Sequence, residues 1–270
     1  MTAFIPTSDV VAEAREAGFF PPRHRVEVTA IATLAEGVTR LTFHDPYIAA
    51  HAKPAQFVNL YTDDPMNPMP RPFGVSEIEG DEVSVIFAHV GRGTAELARL
   101  QPGDGVDVLG PLGRGFNLKQ DANYILVGGG LGVPPLIFAA QQLTHVDESF
   151  ATAVFGYRNT HFADDYVSRY ADWTWSIDES EGNVIDLLNR LEAGDDLEAF
   201  ERKPIILTCG PLPMMKAVAV WAAKRDIPCQ ASMEQRMGCG YGTCVLCTVD
   251  TVDGCLKVCS DGPVFTREQL

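Results

Sequence analysis

The run NYILVGGGLGVP, residues 123–134, decides how the second half of the chain is built. Asn123 to Gly129 reads as an uncharged apolar strand, the kind buried on both faces of a parallel sheet. Gly128, Gly129, Gly130 and Gly132 supply a turn, and Pro134 stands where a helix would begin. A glycine turn between a strand and a helix lets backbone N–H groups meet a diphosphate. The spacing is not G-x-G-x-x-G, because Pro134 stands one past where a third glycine could fall. The uncharged stretch runs from Tyr124 to Leu143, long enough to span a bilayer. Its glycines and the Pro134-Pro135 pair break any such helix.

Outward from this run the pattern differs on the two sides. Downstream, ATAVFGY reads as a strand, Val184–Leu191 as a helix, PIILTCG as a strand and Pro213–Lys224 as a helix. Alternating strands and helices predict a parallel α/β sheet. The last of these strands ends in Thr208-Cys209-Gly210-Pro211-Leu212-Pro213-Met214. Ligands bind at the carboxyl ends of parallel strands, so Cys209 is expected beside a bound nicotinamide. The alternative is a small buried hydrophobe. Upstream, from His24 to about Gly115, six short runs alternate with turn residues: RVEVTAIAT, VTRLTFHD, QFVNLYT, PFGVSEI, EVSVIFAHV and GVDVLG. They predict a small antiparallel barrel interrupted by one helix, Thr94–Leu100. Residues 1–22 read as an appendage with a short helix over Val10–Glu16.

The barrel carries two weak signals. Arg71-Pro72-Phe73-Gly74-Val75-Ser76 opens a strand. There Arg71 could hold a diphosphate and Phe73 could face a flat ring. Gly91-Arg92-Gly93-Thr94 precedes the helix and has the form of an anion-binding turn. Their plain alternatives are a strand entry and an ordinary N-cap at Thr94.

After Cys229 the chain turns rich in Cys and Gly, with no long periodic element. Cys239-x4-Cys244-x2-Cys247, with Cys259 further on, is the plant-type spacing for four thiolates around a [2Fe–2S] cluster. Gly238, Gly240 and Gly242 fit a loop that wraps tightly around sulfur. Structural zinc also takes four cysteines, but usually as two short pairs. Cys255 is the competing fourth ligand, and Cys259 is preferred for the Ser-Asp-Gly-Pro turn behind it.

Composition excludes other classes. The chain has 270 residues and a net charge of −15, from 21 basic and 36 acidic residues. That acidity opposes binding to nucleic acid or an anionic membrane. Seven cysteines and no signal-peptide pattern at the N-terminus argue against a disulfide framework and predict a cytoplasmic protein.

Across residues 24–270 the order of these motifs resembles the ferredoxin-reductase superfamily. More closely, Ser232-Met233-Glu234-Gln235-Arg236-Met237-Gly238-Cys239-Gly240 and Lys257-Val258-Cys259-Ser260-Asp261-Gly262-Pro263-Val264-Phe265 resemble the electron-transfer subunits of NAD-dependent dihydroorotate dehydrogenases. The resemblance implies an FAD-binding barrel over 23–118, an NAD-binding α/β domain over 119–228 and a [2Fe–2S] module over 229–270. It implies that Arg71 and the Gly91–Thr94 turn hold the FAD diphosphate, that Phe73 to Val75 line the isoalloxazine, and that Cys209 lies near the hydride path. One departure is Gly74, where the family usually has Ser or Thr; a backbone N–H or Ser76 would have to take over that hydroxyl's place near the flavin.

The implied activity is that of a flavin and iron–sulfur oxidoreductase subunit. Electrons would pass from a partner FMN dihydroorotate dehydrogenase subunit through the cluster and FAD to NAD⁺, within a heterotetramer, in pyrimidine biosynthesis. The rival readings are the corresponding subunit of a hydrogenase, sulfide dehydrogenase or ferredoxin-reducing transhydrogenase, and a zinc-stabilised binding module. NAD is expected over NADP, because the segment Tyr157–Asp165 has one Arg, Arg158, against Asp164 and Asp165.

Overall fold

The computed structural model describes residues 23–118, 122–147, 149–195 and 204–270. The helix expected at Val10–Glu16 lies outside the described residues. Six strands, β1 (His24–Ala35), β2 (Val38–His44), β3 (Phe57–Tyr61), β4 (Arg71–Glu79), β5 (Glu82–Ala88) and β6 (Gly105–Leu112), close into an antiparallel barrel in the order β1-β2-β5-β4-β3-β6. One face of the alternating runs fills the interior: Val28, Leu41, Val58, Val75, Val85 and Val108 are wholly buried. Two helices interrupt the barrel rather than one: α1 (Pro46–His51) and α2 (Arg92–Leu97). The first is a single short turn that periodicity cannot register. Its signal was the Asp45-Pro46 pair, and the Asp45 carboxylate accepts the N–H groups of Tyr47 and Ile48.

The second half follows the strand–helix alternation. It comprises β7 (Asn123–Gly129), α3 (Pro134–Leu143), β8 (Phe150–Tyr157), α4 (Asp164–Val167), β9 (Trp173–Asp178), α5 (Val184–Arg190), β10 (Ile205–Cys209), α6 (Leu212–Ala223) and β11 (Cys229–Ser232). Two strands here were not expected. β9 is an edge strand burying only Ile177, and β11 is four residues long, so neither shows a run of apolar residues. Beyond them, β12 (Thr248–Thr251) and β13 (Gly254–Lys257) form a hairpin. β14 (Val264–Thr266) returns antiparallel to β11. The sheet order is β14-β11-β10-β7-β8-β9, parallel except for β14. Among the described residues no helix is long and apolar enough to cross a membrane.

The parts share their cores. Phe138 of α3 packs with the barrel interior, and Ile86 of β5 packs with the α/β core. A third cluster joins Phe57 and Leu112 of the barrel, Met215 of α6, and Cys247, Val258, Cys259 and Phe265 of the C-terminal module. α3 packs on β4 closely enough that a Cβ on Gly74 would lie 2.7 Å from Pro135 Cγ.

A polar joint accompanies these contacts. Glu77 of β4 is 1% exposed and lies 2.5 Å from Arg40 and 3.5 Å from Arg169. Tyr170 donates its hydroxyl to Glu77 at 2.6 Å, and burial together with this carboxylate pushes the phenol up to about 12, so it stays a donor. Gln141 of α3 completes the joint, donating to Ile78 O and accepting from Ile78 N. Removing one member of a buried ion pair strands the other and costs about 3 kcal/mol or more. Glu77→Ala is therefore expected to lower the thermal midpoint strongly, with Glu77→Gln intermediate. A Glu77→Ala midpoint equal to wild type, read by differential scanning calorimetry, would refute the joint.

Candidate functional site

A cleft of about 380 Å³ opens where barrel and sheet meet. Pro72, Phe73, Gly74 and Thr94 line its barrel side, and Pro135, Cys209 and Glu234 line the other. The walls are largely apolar, and the Phe73 ring is held by stacking on Phe87 at 4.7 Å. Arg71 and Gly93 meet at the rim: the Arg71 guanidinium lies so close that a Cβ on Gly93 would collide with it. Arg71 donates to Met69 O at 2.5 Å and to Asn67 Oδ1. Gly91 caps α2, and the Thr94 hydroxyl accepts the N–H groups of Val90 and Gly91. The fold thus brings the Arg-Pro and Gly-x-Gly-Thr motifs together from opposite ends of β4 and β5.

Two residues of the Arg-Pro motif do not reach the cleft. Val75 points into the barrel core, with its N–H donated to Gln56 O at 3.0 Å. Ser76 is fully buried and donates its hydroxyl to Ser84 O at 2.8 Å, so it cannot replace the hydroxyl absent at Gly74. The β4–β5 register is irregular between Val75 and Glu77, and both Val75 and Ser76 are buried away from the cleft.

Cys209 stands at the base of the cleft, 1% exposed. Burial and the nearby Glu234 charge push its thiol well above the ordinary range, while Ser232 opposes them. Cys209 is therefore a neutral wall and not a thiolate nucleophile. Glu234 lines the cleft with its side chain open to solvent, and the protein around it still pushes its carboxyl up by loss of solvation. Sequence reasoning left Glu234 without a role, although it stands in the quoted Ser-Met-Glu-Gln run.

A second cleft, about 910 Å³, lies at the carboxyl ends of β7, β8 and β9 and is lined by Gly129, Gly130 and Pro211. Leu131 and Val90 line both clefts, so the two adjoin. β7 and β10 are neighbours with Gly128 opposite Cys209, which sets the two glycine motifs side by side. A Cβ on Gly132 would strike the Cys209 carbonyl, and one on Gly210 would lie 3.0 Å from the Gly129 backbone. Gly130 differs: its φ is +53° and nothing lies within 4 Å of its Cβ direction, so a side chain there would enter open cleft. Gly128, Gly132 and Gly210 thus allow close packing beneath the cleft, while Gly129 and Gly130 face it.

The acidic rim is not the one expected. Asp164 is consumed by a network: it accepts from Tyr157 at 2.7 Å and Ser176 at 2.5 Å and meets His161 at 3.1 Å. Glu36 and Glu179 line the cleft instead, with Arg158 3.9 Å from Glu179. Glu36 and Glu179 come from separate hairpin and strand ends, which no local motif reveals.

The four spaced cysteines converge as two pairs. Cys239 N donates to Cys244 Sγ and Cys244 N to Cys239 Sγ, each at 3.4 Å. Cys259 N donates to Cys247 Sγ at 3.4 Å, and Gly242 N to Cys259 Sγ at 3.1 Å. Burial opposes ionisation of Cys239, but the N–H groups of Cys244, Tyr241 and Thr243 overcome it and draw the thiol down to about 7. Burial and the neighbouring Cys247 push Cys259 up to about 12. Two thiols per metal, with backbone N–H groups aimed at sulfur, is a donor set suited to a two-iron cluster. A single zinc ion calls for four sulfurs around one point, whereas these hydrogen bonds group the sulfurs two and two. Cys255 is exposed on the hairpin, opposite Asp250. The loop is fixed from the barrel by Asn59, whose side-chain N–H donates to Cys239 O at 2.9 Å. No motif marks Asn59, since the run QFVNLYT reads as a barrel strand without giving its one amide a role.

Comparison with known proteins agrees with this arrangement. A family model for the iron–sulfur cluster binding domain of dihydroorotate dehydrogenase B matches residues 234–270. The dihydroorotate dehydrogenase B (NAD(+)) electron transfer subunit of Geobacillus kaustophilus is 35% identical over 92% of this chain and 98% of its own. The same subunit of Clostridium acetobutylicum is 29% identical over 87% and 92%. Among solved structures, a chain of the NADH-dependent reduced ferredoxin-NADP oxidoreductase superposes with a TM-score of 0.79 at 27% identity, covering 90% of this chain and 88% of that one. Ferredoxin-NADP⁺ reductase from Plasmodium falciparum, at 15% identity and a TM-score of 0.59 over 75% of this chain and 91% of that one, shares the fold. With its flavin-reductase barrel, its α/β sheet and its paired thiols, the chain belongs to the family of dihydroorotate dehydrogenase B electron transfer subunits.

Proposed function

We propose that this chain passes electrons between a partner subunit that oxidises dihydroorotate at FMN and NAD⁺, by way of a [2Fe–2S] cluster and FAD. The observation that carries the reading is the junction of the two clefts at Val90 and Leu131, with Cys209 at the base of the first, within one body that also holds the two thiol pairs. FAD supplies what the other two carriers lack, exchange of electrons singly with a cluster and in pairs with a nicotinamide.

The chain's own residues supply position. Arg71 and the Gly91–Thr94 turn hold the FAD diphosphate, the first by charge and the second by N–H groups at a helix start. Phe73 and Gly74 form the wall for the flat ring, and the absence of a side chain at Gly74 leaves room for Pro135, which also lines the cleft. Gly129, Gly130 and Pro211 let the nucleotide backbone approach the sheet edge, and Cys209 forms the floor where nicotinamide meets flavin. As a neutral thiol, Cys209 excludes water without competing for the hydride. Cys239 and Cys244 take one iron, and Cys247 and Cys259 the other. Glu179 accepts from the adenosine ribose hydroxyls, and with Glu36 it repels a 2′-phosphate.

The partner docks over the cluster loop. Tyr241, Thr243, Val245 and Leu246 are exposed there, and Leu246 and Met69 both border Gly238. Gly240, expected on this face, is buried and turned toward Asn59 instead. The likeness to the ferredoxin-NADP oxidoreductase chain supports a second reading, in which the partner is a different oxidoreductase.

Three outcomes follow from these roles. Cys259→Ser abolishes or strongly shifts the EPR signal of the reduced cluster, while Cys255→Ser leaves it intact; the reverse result would overturn the ligand set. Steady-state dye reduction favours NADH over NADPH in kcat/KM, and Glu179→Gln narrows the preference roughly fivefold, the scale of one exposed charge. A preference for NADPH in the native chain refutes the nucleotide assignment. The isolated chain oxidises NADH with dyes but not dihydroorotate, and mixing it with a dihydroorotate-oxidising FMN subunit creates NAD⁺-dependent orotate formation. Leu246→Glu should weaken that coupling without changing dye reduction. Dihydroorotate oxidation by the isolated chain sinks the division of labour, and coupling only to a hydrogenase or ferredoxin partner favours the second reading.

A further inference from the structure

We propose that Asn59 is a positioning residue that holds the first cysteine of the cluster loop at a fixed separation from the flavin wall of the barrel. The proposal rests on the reading of the thiol pairs as a cluster site and of the first cleft as a flavin site.

Asn59 lies in the middle of β3, on the strand face opposite Val58 and Leu60, which fill the barrel, and on the same face as Phe57, which packs with the C-terminal module. It is 0% exposed. Its backbone pairs directly with Pro72 of β4, the residue that lines the first cleft. Its side chain points the other way, out of the barrel, and donates to Cys239 O at 2.9 Å across 180 residues of sequence. A carbonyl accepts only, so the nitrogen of the amide must face it. The amide oxygen is buried without a partner. A half-satisfied buried amide is less stable than an apolar side chain of the same shape. Packing alone would therefore favour leucine here, and what distinguishes asparagine is its polar contact with the loop at Cys239 O, beside one with the neighbouring Tyr61 side chain.

The cluster loop is shaped to receive this contact. Gly240 follows Cys239 with φ +83°, and a Cβ there would collide with the Asn59 amide. The left-handed backbone and the missing side chain let the loop settle onto Asn59. One residue thus touches the cleft wall through its strand pairing and the first ligand through its amide. Asn59 exchanges no proton and no electron. It sets the gap across which single electrons pass, and electron transfer weakens steeply as such a gap widens.

Asn59→Leu keeps the volume and removes the tie. The test is stopped-flow reduction of the native, FAD- and cluster-loaded chain by NADH, followed at flavin and cluster wavelengths, with EPR of the reduced cluster and iron content as separate readouts. The expected result is flavin reduction at the native rate, subsequent cluster reduction slowed roughly tenfold or more, and an altered EPR line shape at full iron content. Gly240→Ala, which pushes the loop off Asn59 from the opposite side, should reproduce the pattern, and it carries the test if Asn59→Leu does not fold. Cluster reduction and EPR line shape equal to the native chain's in a folded variant overturn the proposal. Equal slowing of flavin and cluster reduction also overturns it, as a general defect. If the native chain shows no flavin reduction by NADH at all, the functional reading itself falls.

Discussion

The carboxylate of Glu77 is buried where barrel meets sheet, between Arg40 of the barrel and Arg169 and Tyr170 of the α/β half. Its charge is tolerable only because both cations and a phenol surround it, so the two halves can stack in one register and no other. That register determines everything nearby. It sets α3 against β4, Pro135 against Gly74, and Phe138 inside the barrel core. The first cleft has one wall from each half, so its width is fixed by this joint and not by either half alone.

Within that frame the chemistry is divided by environment. The cleft floor is a buried thiol held neutral, suited to exclude water and charge. The cluster loop is mixed, with N–H groups drawing the Cys239 thiol down to about 7 while burial and Cys247 push Cys259 up. Both microenvironments use cysteine. The difference lies in whether backbone donors or apolar side chains surround the sulfur, a matter of a few residues of loop.

Much of this was legible in the linear chain, and the parts that were not have identifiable reasons. The barrel strands carried period-two alternation, β7 and β10 were unbroken apolar runs, and the cysteine spacing was specific to a loop wrapped around sulfur. β9 and β11 were missed because an edge strand and a four-residue strand bury too little to leave a pattern. Ser76 looked available because it closes the motif two residues after Gly74, yet its hydroxyl goes to Ser84 O. Asp164 looked like a cleft acid, yet Tyr157, Ser176 and His161 take up its oxygens. Glu179 and Asn59 acquire their places only through strand order and long-range packing. Local motifs located the glycine turns and the paired thiols; Glu179 at the second cleft and Asn59 beneath the thiol loop came from elsewhere in the chain.

The return of the chain through β14 has a mechanical consequence. After Cys259 the chain re-enters the sheet, pairing Val264 with Ser232, Phe265 with Ala231 and Thr266 with Gln230, while Phe265 is buried in the core shared by all parts. The thiol loop is therefore stitched down at both ends, before Cys239 by β11 and after Cys259 by β14. A redox module on a free tether must diffuse between donor and acceptor, and its turnover slows as the solvent thickens. A module clamped in this way has no swing to make, so its internal electron traffic is governed by a constant gap and is indifferent to glycerol or crowding.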